Sequence, residues 1–227
     1  MMEDKMNTVS NRRSFIKVGV GTVGALLLSS PISKSFAAVC GLTPPQTEGP
    51  FYPGEMQFQK DNDLTIVSGQ TLHAKGQVIY IVGKVVDPRC SPIQDANVEI
   101  WQACASGKYN HTRDSNPAPL DPYFKYWGET FTNENGEYLF KTVIPGAYPA
   151  DTDWTRPPHI HFKISRLGYQ ELVTQMYFKG NPLNSKDLIL QQIPTAKRNS
   201  VIVDFKAADH EPGSLLGHFD ITLKSVR

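Results

Sequence analysis

Short runs rich in valine, isoleucine, tyrosine and phenylalanine, each closed within a few residues by glycine, proline or asparagine, recur along most of this chain. The 227 residues include 17 prolines and 17 glycines, too many breaks for long helices. Strands are predicted at Val78 to Asp87, Ala96 to Gln102, Thr130 to Asn133, Glu137 to Val143, Ile160 to Ser165, Leu172 to Phe178, Ser200 to Phe205 and Phe219 to Lys224. In the second of these, Val98 and Ile100 alternate with Asn97, Glu99 and Trp101, the period-two pattern of a half-buried strand. The Asn135-Gly136 pair predicts a tight hairpin between the third and fourth. Only Ser185 to Ile193 reads as helix, with Pro194 as its stop. The expectation is an all-β chain: an antiparallel β-sandwich of about eight strands with long loops and little helix.

Two long loops interrupt the pattern, Ala105 to Tyr126 and Pro145 to Pro158. Loops of this length on a sandwich tend to carry function. The second runs into Arg156-Pro157-Pro158-His159-Ile160-His161-Phe162. On a strand, residues two apart share a face, with Cα atoms roughly 6.6 Å apart, so His159 and His161 could reach one metal ion while Ile160 turns to the core. No Cys, Asp or Glu stands beside the pair to complete a zinc set. Tyrosine dominates the adjoining loops, and a phenol gives up its proton to a highly charged cation, becoming a hard anionic ligand.

With 40% hydrophobic residues, 10% aromatics and a formal charge of +1, the chain is long enough for one sizeable core. Its balanced charge offers no basis for nucleic acid or an anionic membrane as partner, which leaves a small molecule. Residues 1–38 read as an export signal. Asn11-Arg12-Arg13-Ser14-Phe15-Ile16-Lys17 resembles the twin-arginine type, the apolar stretch after it is short and glycine-rich, and Ser35 to Ala38 suits cleavage. Residues 39–227 are then one domain, periplasmic or extracellular, without stable membrane insertion once the signal is removed. Of three cysteines, the expected bridge is Cys90 to Cys104. Thr43 to Pro53 is an extended, proline-rich leader laid across the domain.

Several motifs in order resemble the intradiol ring-cleavage dioxygenases, nearest to the iron-bearing chain of the protocatechuate 3,4-dioxygenase type. They are Trp101-Gln102-Ala103, Gly107-Lys108-Tyr109, Glu134-Asn135-Gly136, Pro145-Gly146-Ala147-Tyr148-Pro149, Arg156 to Phe162, and Thr174-Gln175-Met176-Tyr177-Phe178. The resemblance implies a β-sandwich holding non-haem Fe(III) on Tyr109, Tyr148, His159 and His161. It places Arg156 and Gln175 beside the substrate and offers Tyr52 as a pocket residue. A catechol is then expected to bind through both oxygens, with Tyr148 and a hydroxide taking up its protons. O2 is inserted between the hydroxylated carbons to give a cis,cis-muconate, Arg156 stabilising charge on the ring and Gln175 orienting substrate.

Ala150 stands where the protocatechuate enzymes commonly have tryptophan, so the resemblance leaves the particular catechol open, and a homo-oligomer or a homologous partner chain is compatible with it. Gly136-Glu137-Tyr138-Leu139-Phe140 followed by Pro-Gly-x-Tyr also occurs in transthyretin-like modules. The second reading is therefore an exported binding module that keeps a metal site without turnover. Such modules lack Tyr109 and the histidine pair. Asp153 is a nearby carboxylate that could pair with Arg156, and His73, His111, His210 and His218 read as surface or turn histidines.

Overall fold

The computed structural model describes residues 39–53 and 61–226; the predicted export signal lies outside them. Its strands are β1 (Val78–Val86), β2 (Asn97–Trp101), β3 (Trp127–Phe131), β4 (Glu137–Val143), β5 (Tyr148–Asp151) and β6 (Trp154–Arg156). They continue as β7 (His159–Ser165), β8 (Leu172–Phe178), β9 (Ile202–Val203), β10 (Lys206–Ala207), β11 (Leu215–His218) and β12 (Ile221–Thr222). One five-stranded sheet centres on β1, antiparallel to β4 and parallel to β11 and β12 along successive parts of its length. The other has the order β3-β2-β7-β8-β9, antiparallel except for its last pair. The all-β expectation holds, with parallel pairs added where short strands return beside β1 and β8. None of the described helices is long and apolar enough to cross a membrane.

Alternation decides which side chains fill the sandwich. Ile160, Phe162 and Ile164 of β7 point inward, and Phe162 meets Tyr138 and Phe140 of the facing sheet and Phe219 at ring centroid distances of 6.3, 6.5 and 4.9 Å. Each such burial contributes about 1.5–3 kcal/mol. The sheets close tightly beside β1 because Gly83 has no side chain: a Cβ there would lie 2.0 Å from the Phe219 carbonyl oxygen, which also accepts from the Tyr138 hydroxyl.

The other face of the second sheet positions the site. Trp101, His159, His161, Gln175 and Tyr177 share it by the same period of two, with Trp101 and Gln175 flanking His161 in register. The leader is strapped along β8 and reaches this face at Gln175. Gln46 N donates to Val173 O at 2.8 Å, Thr174 Oγ1 to Pro44 O at 2.8 Å and Gln175 Nε2 to Thr47 O at 2.9 Å.

Three local expectations are corrected. The Asn133–Gly136 turn forms, with Gly136 at φ 72°, yet it joins strands of different sheets instead of a hairpin. Gly136 O accepts from Val85 N at 2.8 Å, and a Cβ on Gly136 would sit 2.6 Å from Val85 O, so the turn docks on the end of β1 and delivers β4 to that strand. The disulfide links Cys40 to Cys90, with Cα atoms 5.3 Å apart, and Cys104 is a buried free thiol. Cys104 is packed under its own loop against Ser106 and Pro119, whereas Cys40 N bonds Pro88 O and brings the leader to Cys90. Cross-linking residues 50 apart removes about 4 kcal/mol of loop-closure entropy from the unfolded chain. The predicted helix Ser185 to Ile193 is two 3-10 turns, Pro182–Lys186 and Leu190–Gln192, with Asp187 extended between them. Asp187 Oδ1 takes the N–H groups of Ile189 and Leu190, at 3.1 and 2.7 Å, which interrupts helical pairing. Pro194 starts the four-residue helix α1 (Thr195–Arg198) instead of ending one.

Candidate metal centre

His159 and His161 enter the site from β7, held extended by the two prolines before them. Tyr148 begins β5, which pairs with β6 so that Tyr148 lies opposite Arg156. The predicted long loop is thus largely a two-stranded ribbon, and exposed Ala150 sits at its register shift. Tyr109 comes from the loop between β2 and β3, where its N–H bonds Asp114 Oδ2 at 2.7 Å and Lys108 Nζ holds the Asp114 carbonyl at 2.6 Å.

Two glycines bring the tyrosine-bearing segments together. At Gly107, with φ 85°, a Cβ would meet Ala147 O at 2.4 Å; at Gly146 it would meet Gly107 N at 2.4 Å. Backbone therefore touches backbone, and the Tyr109 and Tyr148 rings stand edge to face at 5.5 Å. Ring contacts close the circuit: Tyr148 to His159 at 5.6 Å, His159 to His161 at 4.9 Å and His161 to Tyr109 at 6.4 Å. The structure thus brings together all four side chains singled out as metal ligands.

Their hydrogen bonding shows what is missing. His159 Nδ1 donates to Pro157 O at 2.7 Å, the tautomer that leaves a lone pair on Nε2. That Nε2, His161 Nδ1 and Tyr109 Oη are all buried without a hydrogen-bond partner among the described residues. Buried polar atoms are nearly always paired, and these three, among eight unpaired ones in the described residues, fall on three of the four clustered side chains, as donors that await a cation would. Burial, reinforced by the Arg156 charge, pushes both imidazoles well below the usual histidine range, so they are neutral donors. Burial also pushes the Tyr109 phenol well above its ordinary value, with Tyr148 adding to it, and raises Tyr148 against the opposing Arg156 charge. Only a cation of high charge would displace those phenolic protons. Among the described residues no three His, Cys, Asp or Glu side chains converge, so this is not a zinc-type set. Two phenols and two imidazoles suit a hard, highly charged ion such as Fe(III).

Around this cluster, Trp101 stacks on His161 at 4.8 Å and 12°, and a Cβ on Gly49 of the leader would lie 3.4 Å from His161 Cε1. Phe51 covers the phenols, 4.6 Å from Tyr109 and 6.0 Å from Tyr148. Tyr52 packs edge-on against Trp101 at 4.9 Å and donates to Glu99 Oε2 at 2.8 Å. Arg156 and Gln175 are buried and bonded to each other at 2.7 Å. The acid that pairs with Arg156 is Asp187, at 2.8 Å, and Asp153 is exposed. Asp187, Tyr177 and Phe51 were not singled out from the sequence; the signals were the place of Phe51 beside Tyr52 in the leader and of Tyr177 two residues after Gln175 on a strand, and Asp187 had none. His73, His210 and His218 are exposed, and His111 Nδ1 accepts from Arg113 N at 3.1 Å. Two surface clefts of about 560 and 590 Å³ are lined by none of the four clustered side chains.

Comparison with known proteins finds relatives over most of the chain. A family model described as dioxygenase matches residues 47–225. The beta chain of protocatechuate 3,4-dioxygenase from Burkholderia cepacia is 41% identical over 180 residues, covering 77% of this chain and 76% of that protein. Catechol 1,2-dioxygenase from Candida albicans is 29% identical over 188 residues, spanning 77% of this chain and 58% of that longer protein. Among solved structures, the dioxygenase domain of a dioxygenase carbohydrate-binding fusion from Streptomyces sp. SirexAA-E is 27% identical with a TM-score of 0.62, covering 82% of this chain and 100% of that one. A 3-chlorocatechol 1,2-dioxygenase from Rhodococcus opacus 1CP, 23% identical with a TM-score of 0.63 over 81% of this chain and 73% of that one, shares the fold.

Proposed function

This chain belongs to the intradiol ring-cleavage dioxygenase family, and from that premise we propose that it is an exported, Fe(III)-dependent enzyme that opens a catechol between its two hydroxylated carbons with O2, giving a cis,cis-muconate. The observation that carries the reading is the convergence of Tyr109, Tyr148, His159 and His161 with three buried donor atoms unpaired. When bound, Fe(III) supplies Lewis acidity toward the catechol oxygens and accepts electron density from the ring.

The chain's own residues do the rest. The imidazoles, neutral because they are buried, offer lone pairs without adding positive charge. With a cation in place Tyr148 would be a phenolate, and its Oη is then the group that would take up a proton from the entering catechol. The Arg156 guanidinium, opposite Tyr148 on the ribbon, offsets negative charge that develops on the substrate ring. Phe51 and Trp101 supply aromatic surface, and the leader excludes water from the histidine face. Gln175 holds the Arg156 guanidinium in place and is itself tied to the leader.

Relatives named for protocatechuate and for catechol define the substrate class to test. Export rests on the twin-arginine-like segment, and the Cys40–Cys90 bridge suits an oxidising compartment. That one relative is a beta chain supports assembly with a second copy or a homologous chain.

The test is O2 uptake with product identification by the iron-loaded protein over catechol, protocatechuate, hydroxyquinol and chlorocatechols. Equimolar consumption of O2 and one of these, with a muconate as product, is expected. Absence of uptake across the panel by protein that carries iron contradicts the reading.

A further inference from the structure

Arg156 is a single cation set among buried rings, and its direction is fixed by several other elements. Its Nε donates to Asp187 Oδ2 at 2.8 Å, and one terminal nitrogen donates to Asp187 Oδ1 at 3.3 Å, Gln175 Oε1 at 2.7 Å and the Tyr177 hydroxyl at 3.2 Å. Asp187 is fully buried, and its Oδ1 is pinned by the N–H groups of Ile189 and Leu190. The Tyr177 hydroxyl in turn donates to Gln46 Oε1 at 2.9 Å, and Gln175 Nε2 to Thr47 O.

A buried ion pair is a poor source of stability, because removing two charges from water costs about as much as their attraction returns. What this pair does well is hold direction. Two carboxylate oxygens, an amide oxygen and a hydroxyl fix the guanidinium plane, while β5–β6 pairing sets the residue opposite Tyr148. We propose that Asp187, with Tyr177, is a positioning residue for catalysis: it aims the Arg156 charge at Tyr148 and the substrate ring, without touching either metal or substrate. The proposal rests on the dioxygenase reading and adds a residue, Asp187, that lies in none of the motifs shared with the family.

The test uses the full-length, iron-loaded protein and the variant Asp187→Asn, which keeps an acceptor for the two backbone N–H groups but removes the charge. Expected are iron content equal to wild type, kcat on the preferred catechol about 10- to 100-fold lower with KM within about threefold, and a displaced tyrosinate-to-iron absorption band, since the charge beside Tyr148 has moved. A general loss of structure would lower iron content and leave the band of the iron-bearing fraction unchanged. An unaltered band and kcat at equal iron overturns the proposal. If Asp187→Asn does not fold, Tyr177→Phe decides: it removes one hydroxyl, and kcat and band both unchanged overturn the proposal. Wild-type protein with iron that turns over no catechol instead sinks the dioxygenase reading itself, which separates the two failures.

Discussion

The Tyr109→Phe variant is expected to lose its iron while its apoprotein becomes no less stable than wild type. The ring contacts of Tyr109 with Phe51, Tyr148 and His161 survive in phenylalanine. Only the hydroxyl goes, and that hydroxyl is buried with no hydrogen bond to lose among the described residues. Burying an unpaired polar group costs about 1–3 kcal/mol, so its removal should raise the midpoint of urea unfolding of the iron-free protein, or leave it unchanged. Iron affinity should fall by more than about 100-fold, since even loss of a group that merely orients a ligand costs 10- to 100-fold. Metal analysis and urea unfolding of the same preparations check both halves. A variant that keeps full iron removes Tyr109 from the ligand set; one that loses several kcal/mol as apoprotein makes it a structural tyrosine.

Arg156→Met carries the second large effect, and the structure changes what it should do. On the sequence reading Arg156 acts by stabilising charge on the substrate ring, with Asp153 as its candidate partner. With Asp187 as its buried partner, the substitution also strands a carboxylate in the interior, a loss of about 3–5 kcal/mol. We expect that destabilisation together with a fall in kcat of about 10²- to 10³-fold, the scale for removing one preorganised charge from a developing anion. The double variant Arg156→Met, Asp187→Asn removes both charges and keeps the acceptor for Ile189 and Leu190 N–H. It should recover most of the stability and none of the rate. Recovery of rate with stability would mean that Arg156 acts only through the fold.

Local pattern made much of the framework legible. Val78–Val86 and Leu172–Phe178 are rich in strand formers, and the alternation through His159–Ser165 told Ile160, Phe162 and Ile164 apart from the two histidines. The sharing of one face by Trp101 and His161 follows from the register of β2 on β7, which no local pattern contains. The same limit explains the misses. Asn135-Gly136 encodes a turn, but the partner of the following strand is chosen by Val85, fifty residues earlier in the chain. Asp187 reads as an ordinary residue of a short helix until Arg156, 31 residues before it, claims both its oxygens. Cys90 found Cys40 because the leader doubles back to Pro88, a path that proline-rich composition does not specify. At the candidate site the ligand-type residues were visible as types; the close backbone contact at Gly107 and Gly146 that brings their phenols together was not.

The account stands on one claim, that two phenols and two imidazoles hold Fe(III), and visible absorption with metal analysis of the purified full-length protein tests it most directly. It predicts about one iron per chain and a red-brown tyrosinate-to-iron band that shifts when a catechol is added. A colourless protein carrying one equivalent of zinc or copper would contradict it.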